Sequence, residues 1–221
     1  MCFRSTLSFS ARLTVMFSVI LLGWGLDDLR GFFAHPARAG LLAVTMVNAG
    51  AALVFCSDAQ PFRKGKQCVA NWVLGLWIVF VLILACFLPF GDRRGLLVFA
   101  RPDALRYVGL GLYAAGGAIR LVALQTLGKR FSGYVTLQEN HQLVQTGIYR
   151  LIRHPMYLGI LLVMPGAALV FRSRLAVPAF VLSAVFALAR IRQEEKLLGD
   201  HFGAEFDAYR RRTWRLLPYL Y

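Results

Sequence analysis

Apolar runs separated by short basic connections divide the chain from end to end. A first run, Leu13 to Leu26, is short for a membrane crossing, which needs ~20 residues, unless it continues through Phe33. The second and third, Ala39 to Cys56 and Val69 to Pro89, carry no charge and are long enough to cross. A fourth extends from Ala104 to Leu127 and is dense in small residues (Gly109, Gly111, Gly116, Gly117), the composition that lets membrane helices approach closely. The fifth and sixth, Tyr157 to Phe171 and Leu175 to Ile191, are joined only by Arg172-Ser173-Arg174, which predicts an antiparallel helical hairpin. Pro165 is expected to kink the fifth, and Pro178 falls in the tolerant opening turn of the sixth. Beyond Ile191 the residues turn polar, yet Leu197, Leu198, Phe202, Phe206 and Tyr209 recur at three- and four-residue steps. That pattern predicts an amphipathic helix pair, broken near Gly203, against the membrane face.

The pattern predicts an all-α fold: a polytopic membrane bundle of about six transmembrane helices plus a C-terminal amphipathic segment. Residues 1–104 would form the N-terminal helices and 105–221 the core. Composition agrees. Hydrophobic residues make up 58% of the 221 and charged residues 16%, against about a quarter charged in soluble domains. The net charge of +14 sits in short groups between apolar runs, not along one face, so it reads as a topology signal and not as a nucleic-acid surface. With six crossings, the termini and the even connections hold roughly twice as many lysines and arginines as the odd ones, which places them in the cytoplasm. Ala37-Arg38-Ala39 resembles a signal-peptidase site, but the long acidic segment before it is atypical, and the first run is read as a retained helix. Cys2, Cys56, Cys68 and Cys86 form no CxxC pair and suggest neither a disulfide framework nor a metal site.

Candidate chemistry concentrates between His141 and Gly159, where polar and cationic residues crowd the start of the fifth run. Such groups are costly in lipid and more often line a cavity. Arg120, inside the fourth run, either snorkels to the interface or reaches into this region. The order His141, Leu143, Val144, Gly147, Tyr149, Arg153, His154, Pro155, Tyr157, Gly159 resembles the signature of the isoprenylcysteine carboxyl methyltransferase family and its bacterial relatives. A second block is similar too: Glu194 and Glu195, then His201-Phe202-Gly203, Glu205, Tyr209, Arg212 and Pro218. The likeness runs from about Gly116 to the end.

The resemblance implies an integral membrane methyltransferase, in a bacterial inner membrane with its site facing the cytoplasm, that uses S-adenosylmethionine. His141, Leu143, Val144, Gly147, Tyr149, His154, Pro155, Tyr157, Gly159, Glu194 and Glu195 are the expected cofactor contacts. Residue chemistry suits this ligand. A glutamate can take its ammonium, His154 or Arg153 its carboxylate, and the tyrosine faces its sulfonium. No glycine-rich loop follows a strand, so the soluble dinucleotide-type methyltransferase fold is not indicated. The acceptor is expected to be lipophilic or small, met in or beside membrane lipid. A carboxylate acceptor needs no general base, only a cation to hold it. Arg153 is the first candidate for that cation, with Arg192 and Arg212 next; Glu195 is a separate candidate catalytic residue. An amine (as in a phospholipid) or thiol acceptor would need a base such as His141 or a glutamate. Two other classes compete. Membrane sterol reductases using NADPH have a similar C-terminal half, but their R-H-P-N-Y-x-G-E motif is broken here by Met156 and Ile160. A non-enzymatic protein that retains the fold is the other.

Overall fold

The computed structural model of the chain describes residues 16–55, 72–100, 103–128 and 143–219. Helix α1 occupies residues 16–24 and stops at Gly25, whose φ of 107° is a conformation open to glycine. A 3-10 turn, Leu26–Asp28, and a short helix α2, Leu29–Phe33, follow. The first apolar run therefore does not continue through Phe33 as one helix. Asp28 caps α2 by accepting from the Gly31 amide at 3.0 Å, and Arg93 donates to the Trp24 carbonyl at 2.7 Å while pairing with Asp27.

The remaining helices are α3 (Pro36–Phe55), α4 (Trp72–Arg94), α5 (Ala104–Leu127), α6 (Pro155–Val170), α7 (Ala176–Phe202) and α8 (Ala204–Arg211), with a 3-10 turn at Gly147–Arg150. The described residues contain no strand, only isolated bridges Val98–Ser173 and Ile152–Trp214. Of the six predicted crossings, three described helices, α4, α5 and α7, are long and apolar enough to span. Helix α6 is as apolar but has only 16 residues, about 24 Å of rise against a hydrocarbon core of ~30 Å. The predicted boundary at Ile191 is corrected. Helix α7 runs unbroken into the polar segment, because the three- and four-residue apolar spacing continues there, and it ends only at Gly203 with φ 48°. The predicted extended piece at 135–138 lies outside the described residues.

Helices α5 and α6 share the most extensive contact in the bundle. Glycines make it possible. A Cβ on Gly116 would stand 2.7 Å from the Gly159 carbonyl oxygen, and one on Gly166 would meet the Tyr113 amide nitrogen at 2.7 Å. Gly109, Tyr113, Gly116 and Arg120 recur at three- and four-residue steps, so one stripe of α5 faces α6. Because the two helices run antiparallel, the C-terminal end of α5 lies beside the entry to α6.

At the opposite end of these helices a buried ion cluster ties four elements together. Asp92 of α4, its side chain fully buried, accepts from Arg38 of α3 at 3.0 Å, from Arg106 of α5 at 2.7 and 2.9 Å, and from Arg172 after α6 at 3.2 Å. Arg106 also donates to the Val170 carbonyl at 2.7 Å, and Arg38 to the carbonyls of Phe32 and Gly31. An apolar cluster of Trp24, Phe32, Leu41, Leu88, Val170 and Phe171 packs beside it. This end of the bundle is fixed by buried charge and aromatic packing, leaving the other end for the polar residues of the signature.

The glycine seam gives a paired test. Gly116→Ala forces α5 and α6 apart and is expected to cost about 1–3 kcal/mol, as overpacking does, seen as a lower unfolding midpoint in detergent. Gly111→Ala, whose Cβ meets nothing within 4 Å, should leave the midpoint unchanged.

Candidate active site

The signature enters the structure as a turn, a cap and a helix start. Gly147 has φ 56°, and a Cβ there would lie 2.9 Å from Thr126 Oγ1, so glycine is needed both for the backbone and for the approach to the end of α5. The 3-10 turn that follows buries Tyr149. His154 is the residue before α6, and Pro155, fully buried, occupies the first helical position, where its missing N–H costs nothing. Leu143 and Val144 precede the turn as irregular chain. His141 lies outside the described residues.

The tail then returns to this segment. Trp214 N donates to the Leu151 carbonyl at 3.0 Å, Arg153 N to Trp214 O at 2.8 Å, and His154 N to Arg215 O at 3.2 Å. Leu216 packs with Ala187 and Ile191 of α7 against Tyr157 and Leu161 of α6. Tyr209 of α8 donates its hydroxyl to the Tyr149 carbonyl at 2.7 Å. Burial lifts the Tyr209 phenol to about 12, so it remains a donor throughout the neutral range. Burial, and then the Glu194 charge, push the Tyr149 phenol up as well.

At the centre is Glu195, 7% exposed. It accepts from Arg153 Nε at 3.2 Å and from Arg215 Nε at 3.0 Å, pairs again with the Arg215 terminal nitrogen, and lies 3.2 Å from Nε2 of His154, itself 4% exposed. Arg153 also donates to the Arg210 carbonyl at 3.0 Å and to both oxygens of Thr213. A buried carboxylate is therefore shared by the signature, α7 and the tail. Glu194 differs. Its side chain is 37% exposed, its nearest His154 contact is Nδ1 at 3.8 Å, and it shares a hydrogen bond with the Tyr157 hydroxyl, which Arg190 also contacts.

The structure thus gathers Tyr149, Arg153, His154, Pro155, Tyr157, Glu194 and Glu195. It places Gly159 one turn deeper, against Gly116 and Arg120. Arg212 is exposed and reaches Gln145, which in turn donates to Glu205 at 3.2 Å. Arg192 lies exposed on α7. Sequence reasoning missed Arg215, Thr213 and Arg190. Arg190, buried one turn before Glu194, had a usable signal in its i, i+4 spacing to that residue. Among the described residues no group of three or more His, Cys, Asp or Glu is placed to hold a metal ion.

The Isoprenylcysteine carboxyl methyltransferase (ICMT) family matches residues 109–200, from the glycine face of α5 through most of α7. Over that stretch the chain is similar to the isoprenylcysteine carboxyl methyltransferase family. Among its relatives is the probable protein-S-isoprenylcysteine O-methyltransferase of Oryza sativa subsp. indica, 34% identical over 52% of this chain and 61% of that one. The Saccharomyces cerevisiae protein-S-isoprenylcysteine O-methyltransferase is 34% identical over 51% of this chain and 48% of its own. A bacterial relative, the cobalt-zinc-cadmium resistance protein CzcN of Cupriavidus metallidurans, is 36% identical over 66% of this chain and 64% of its own. This chain thus spans between about half and two thirds of the length of these isoprenylcysteine carboxyl methyltransferase relatives and CzcN. The solved structure of a eukaryotic intramembrane Ras methyltransferase, ICMT, shares the fold. Its TM-score is 0.59 at 22% identity, over 93% of this chain and 74% of that one.

Two outcomes are expected of the clamp. Arg215→Ala leaves a buried carboxylate short of a partner, at a cost of about 3 kcal/mol, and should open the tail to limited proteolysis while the membrane helices stay resistant. An unchanged cleavage rate would contradict the clamp. Tyr209 supplies a pH test. Its folded value lies above the ~10 of a free phenol, so its contribution to stability is complete below pH ~10 and lost as pH rises towards 12. Tyr209→Phe should lower cap stability at pH 8 by about 1 kcal/mol and flatten that alkaline decline in a pH-dependent hydrogen-exchange series.

Proposed function

We propose that the chain is an S-adenosylmethionine-dependent membrane methyltransferase that O-methylates a carboxylate on a lipophilic acceptor. The observation that carries the proposal is the contrast between the two glutamates. Glu195 is spent on Arg153, His154 and Arg215, whereas Glu194 is half-exposed, with the Tyr157 hydroxyl and a 3.8 Å approach to His154 as its contacts among the described residues, an anion able to meet an ammonium. When bound, S-adenosylmethionine supplies a methyl group activated by its sulfonium, which an ionised carboxylate accepts without losing a proton. The residues present fit that donor. Glu194 takes its ammonium, the Tyr149 and Tyr157 rings pack on its adenosine or face its cation, and Gly147 with the amides before it gives backbone access.

The Glu195 clamp orients His154 and closes the tail over this pocket, excluding water from the transfer. In this reading Arg153 is a positioning residue, while Arg192 and Arg212, both exposed, steer an anionic acceptor from outside. The resemblance in sequence also implies His141, which lies outside the described residues, as a donor contact. Residues 1–104 anchor and 105–221 catalyse. The chain crosses the bilayer about six times, and the site faces the cytoplasm of a bacterial inner membrane, as the charge bias along the sequence supports. The relatives named as isoprenylcysteine O-methyltransferases favour a carboxylate over an amine or thiol.

Purified protein in detergent is expected to bind S-adenosylmethionine and not NADPH in a titration. Glu194→Gln should weaken donor binding by about tenfold or more, as loss of a charge-assisted bond does, with the unfolding midpoint unchanged. Binding of NADPH alone would reject the methyltransferase reading in favour of a reductase.

A further inference from the structure

The exposed apolar side chains of α4, α5 and α7 lie on helices long enough to span, and they face outward as those of any span do. Four others need a different account. Leu151, Trp214, Leu217 and Tyr219 stand outside those helices, on the entry to α6 and on the tail, and are 56%, 38%, 44% and 87% exposed. The Trp214 and Tyr219 rings meet with 5.4 Å between centroids. Backbone pairing carries Leu151 and Trp214 together, the Trp214 amide donating to the Leu151 carbonyl at 3.0 Å.

Arginines border these side chains. Tyr209 donates to the Tyr149 carbonyl and Arg153 to the Arg210 carbonyl, which sets the end of α8 against the 3-10 turn. Arg150 of that turn and Arg210, Arg211 and Arg212 around the end of α8 are all exposed. Arg210 is partly answered by Asp207 at 3.4 Å, and Arg212 reaches Gln145. Within residues 149–154 and 209–219 there are six arginines and no Asp or Glu. The patch is therefore apolar at its centre and cationic at its edge.

Its depth follows from α6. That helix has 16 residues, about 24 Å of rise against a hydrocarbon core of ~30 Å. Its entry, and the tail paired with it, therefore lie at the level of the headgroups or just beneath. Tryptophan and tyrosine collect at that level, with arginines reaching past them to phosphate. Charge and depth together select a lipid surface over a soluble protein.

We infer that the outer face of the cap docks on anionic phospholipid headgroups of the chain's own bilayer, and that docking holds the tail closed on the entry to α6. The inference rests on the bilayer placement of the proposed function. Coupling runs through the backbone. Trp214, which carries the ring at the surface, also closes the ladder through its own amide and carbonyl, and its neighbours Thr213 and Arg215 hold Arg153 and Glu195. Apolar insertion and basic charge are each marginal alone and together give stable membrane binding. Lipid that fixes Trp214 raises the fraction of molecules whose donor site is closed, and donor affinity rises with that fraction.

The test places the full chain in nanodiscs of phosphatidylcholine alone or mixed with phosphatidylglycerol. Without donor, hydrogen exchange in 151–154 and 213–216 should be slower in the mixed discs, and S-adenosylmethionine should bind about fivefold more tightly there. The double variant Arg150→Gln with Arg211→Gln should behave in mixed discs as wild type does in phosphatidylcholine, and Trp214→Ala should lose most of the difference. The inference is overturned if wild type exchanges alike in both lipids, if the double variant keeps the full difference, or if a donor that binds does so equally in both. Equal protection in phosphatidylcholine discs on adding inorganic phosphate overturns it too, since a free anion then suffices. Should the double variant fail to fold, a phosphatidylglycerol effect that survives about 1 M salt, where charges are screened beyond ~3 Å, counts against it equally. Lipid-dependent protection in a chain that binds no S-adenosylmethionine upholds the docking and rejects the methyltransferase reading.

Discussion

The rest of the site depends on one buried carboxylate. Glu195 is held by cations from two segments far apart in sequence, the entry to α6 and the C-terminal tail. Between the 3-10 turn and α6, and beyond α8, both segments are irregular apart from the Ile152–Trp214 bridge that joins them. Their backbones meet because the ion pairs bring them together, and the ion pairs hold because Leu216, Ile191 and Ala187 close the apolar floor beneath. An unpaired carboxylate at this depth would be prohibitive. Removing any one partner therefore acts on the whole cap, not on a single contact.

The two ends of the bundle use buried charge differently. At the Asp92 end, three arginines converge on one aspartate, and further donors go to backbone carbonyls, a knot that joins four elements although, among the described residues, Arg106 Nε is buried there without a hydrogen-bond partner. At the Glu195 end Glu194 stays half-exposed, and among the described residues the sealed Arg120 Nε has no hydrogen-bond partner. The glycine seam between α5 and α6 links the two ends, since it sets how deep Arg120 lies beneath the entry to α6.

Much of this was legible along the chain, for identifiable reasons. Helix α5 runs over the predicted Ala104–Leu127 because a charged loop precedes it and Gly128 stops it. The role of the small residues in α5 followed from composition, and the residues from Tyr149 to Tyr157 and the glutamate pair do assemble. What stayed hidden is non-local. A tail read as a basic-aromatic insertion pairs with the signature through Trp214 and supplies Arg215, and no local pattern marks either residue. Helix α7 outran its predicted end because hydropathy falls at Arg192 while helical periodicity does not. The turn at Gly25 divided a run that hydropathy alone would have joined.

The central claim is that the entry to α6, the end of α7 and the returning tail enclose the methyl donor together. Hydrogen–deuterium exchange with and without S-adenosylmethionine measures this most directly. Donor binding should slow exchange in 149–154, 191–198 and 209–216 together, with no change around Asp92 and the start of α3. Protection confined to one of the three segments, or absent from the tail, would contradict it.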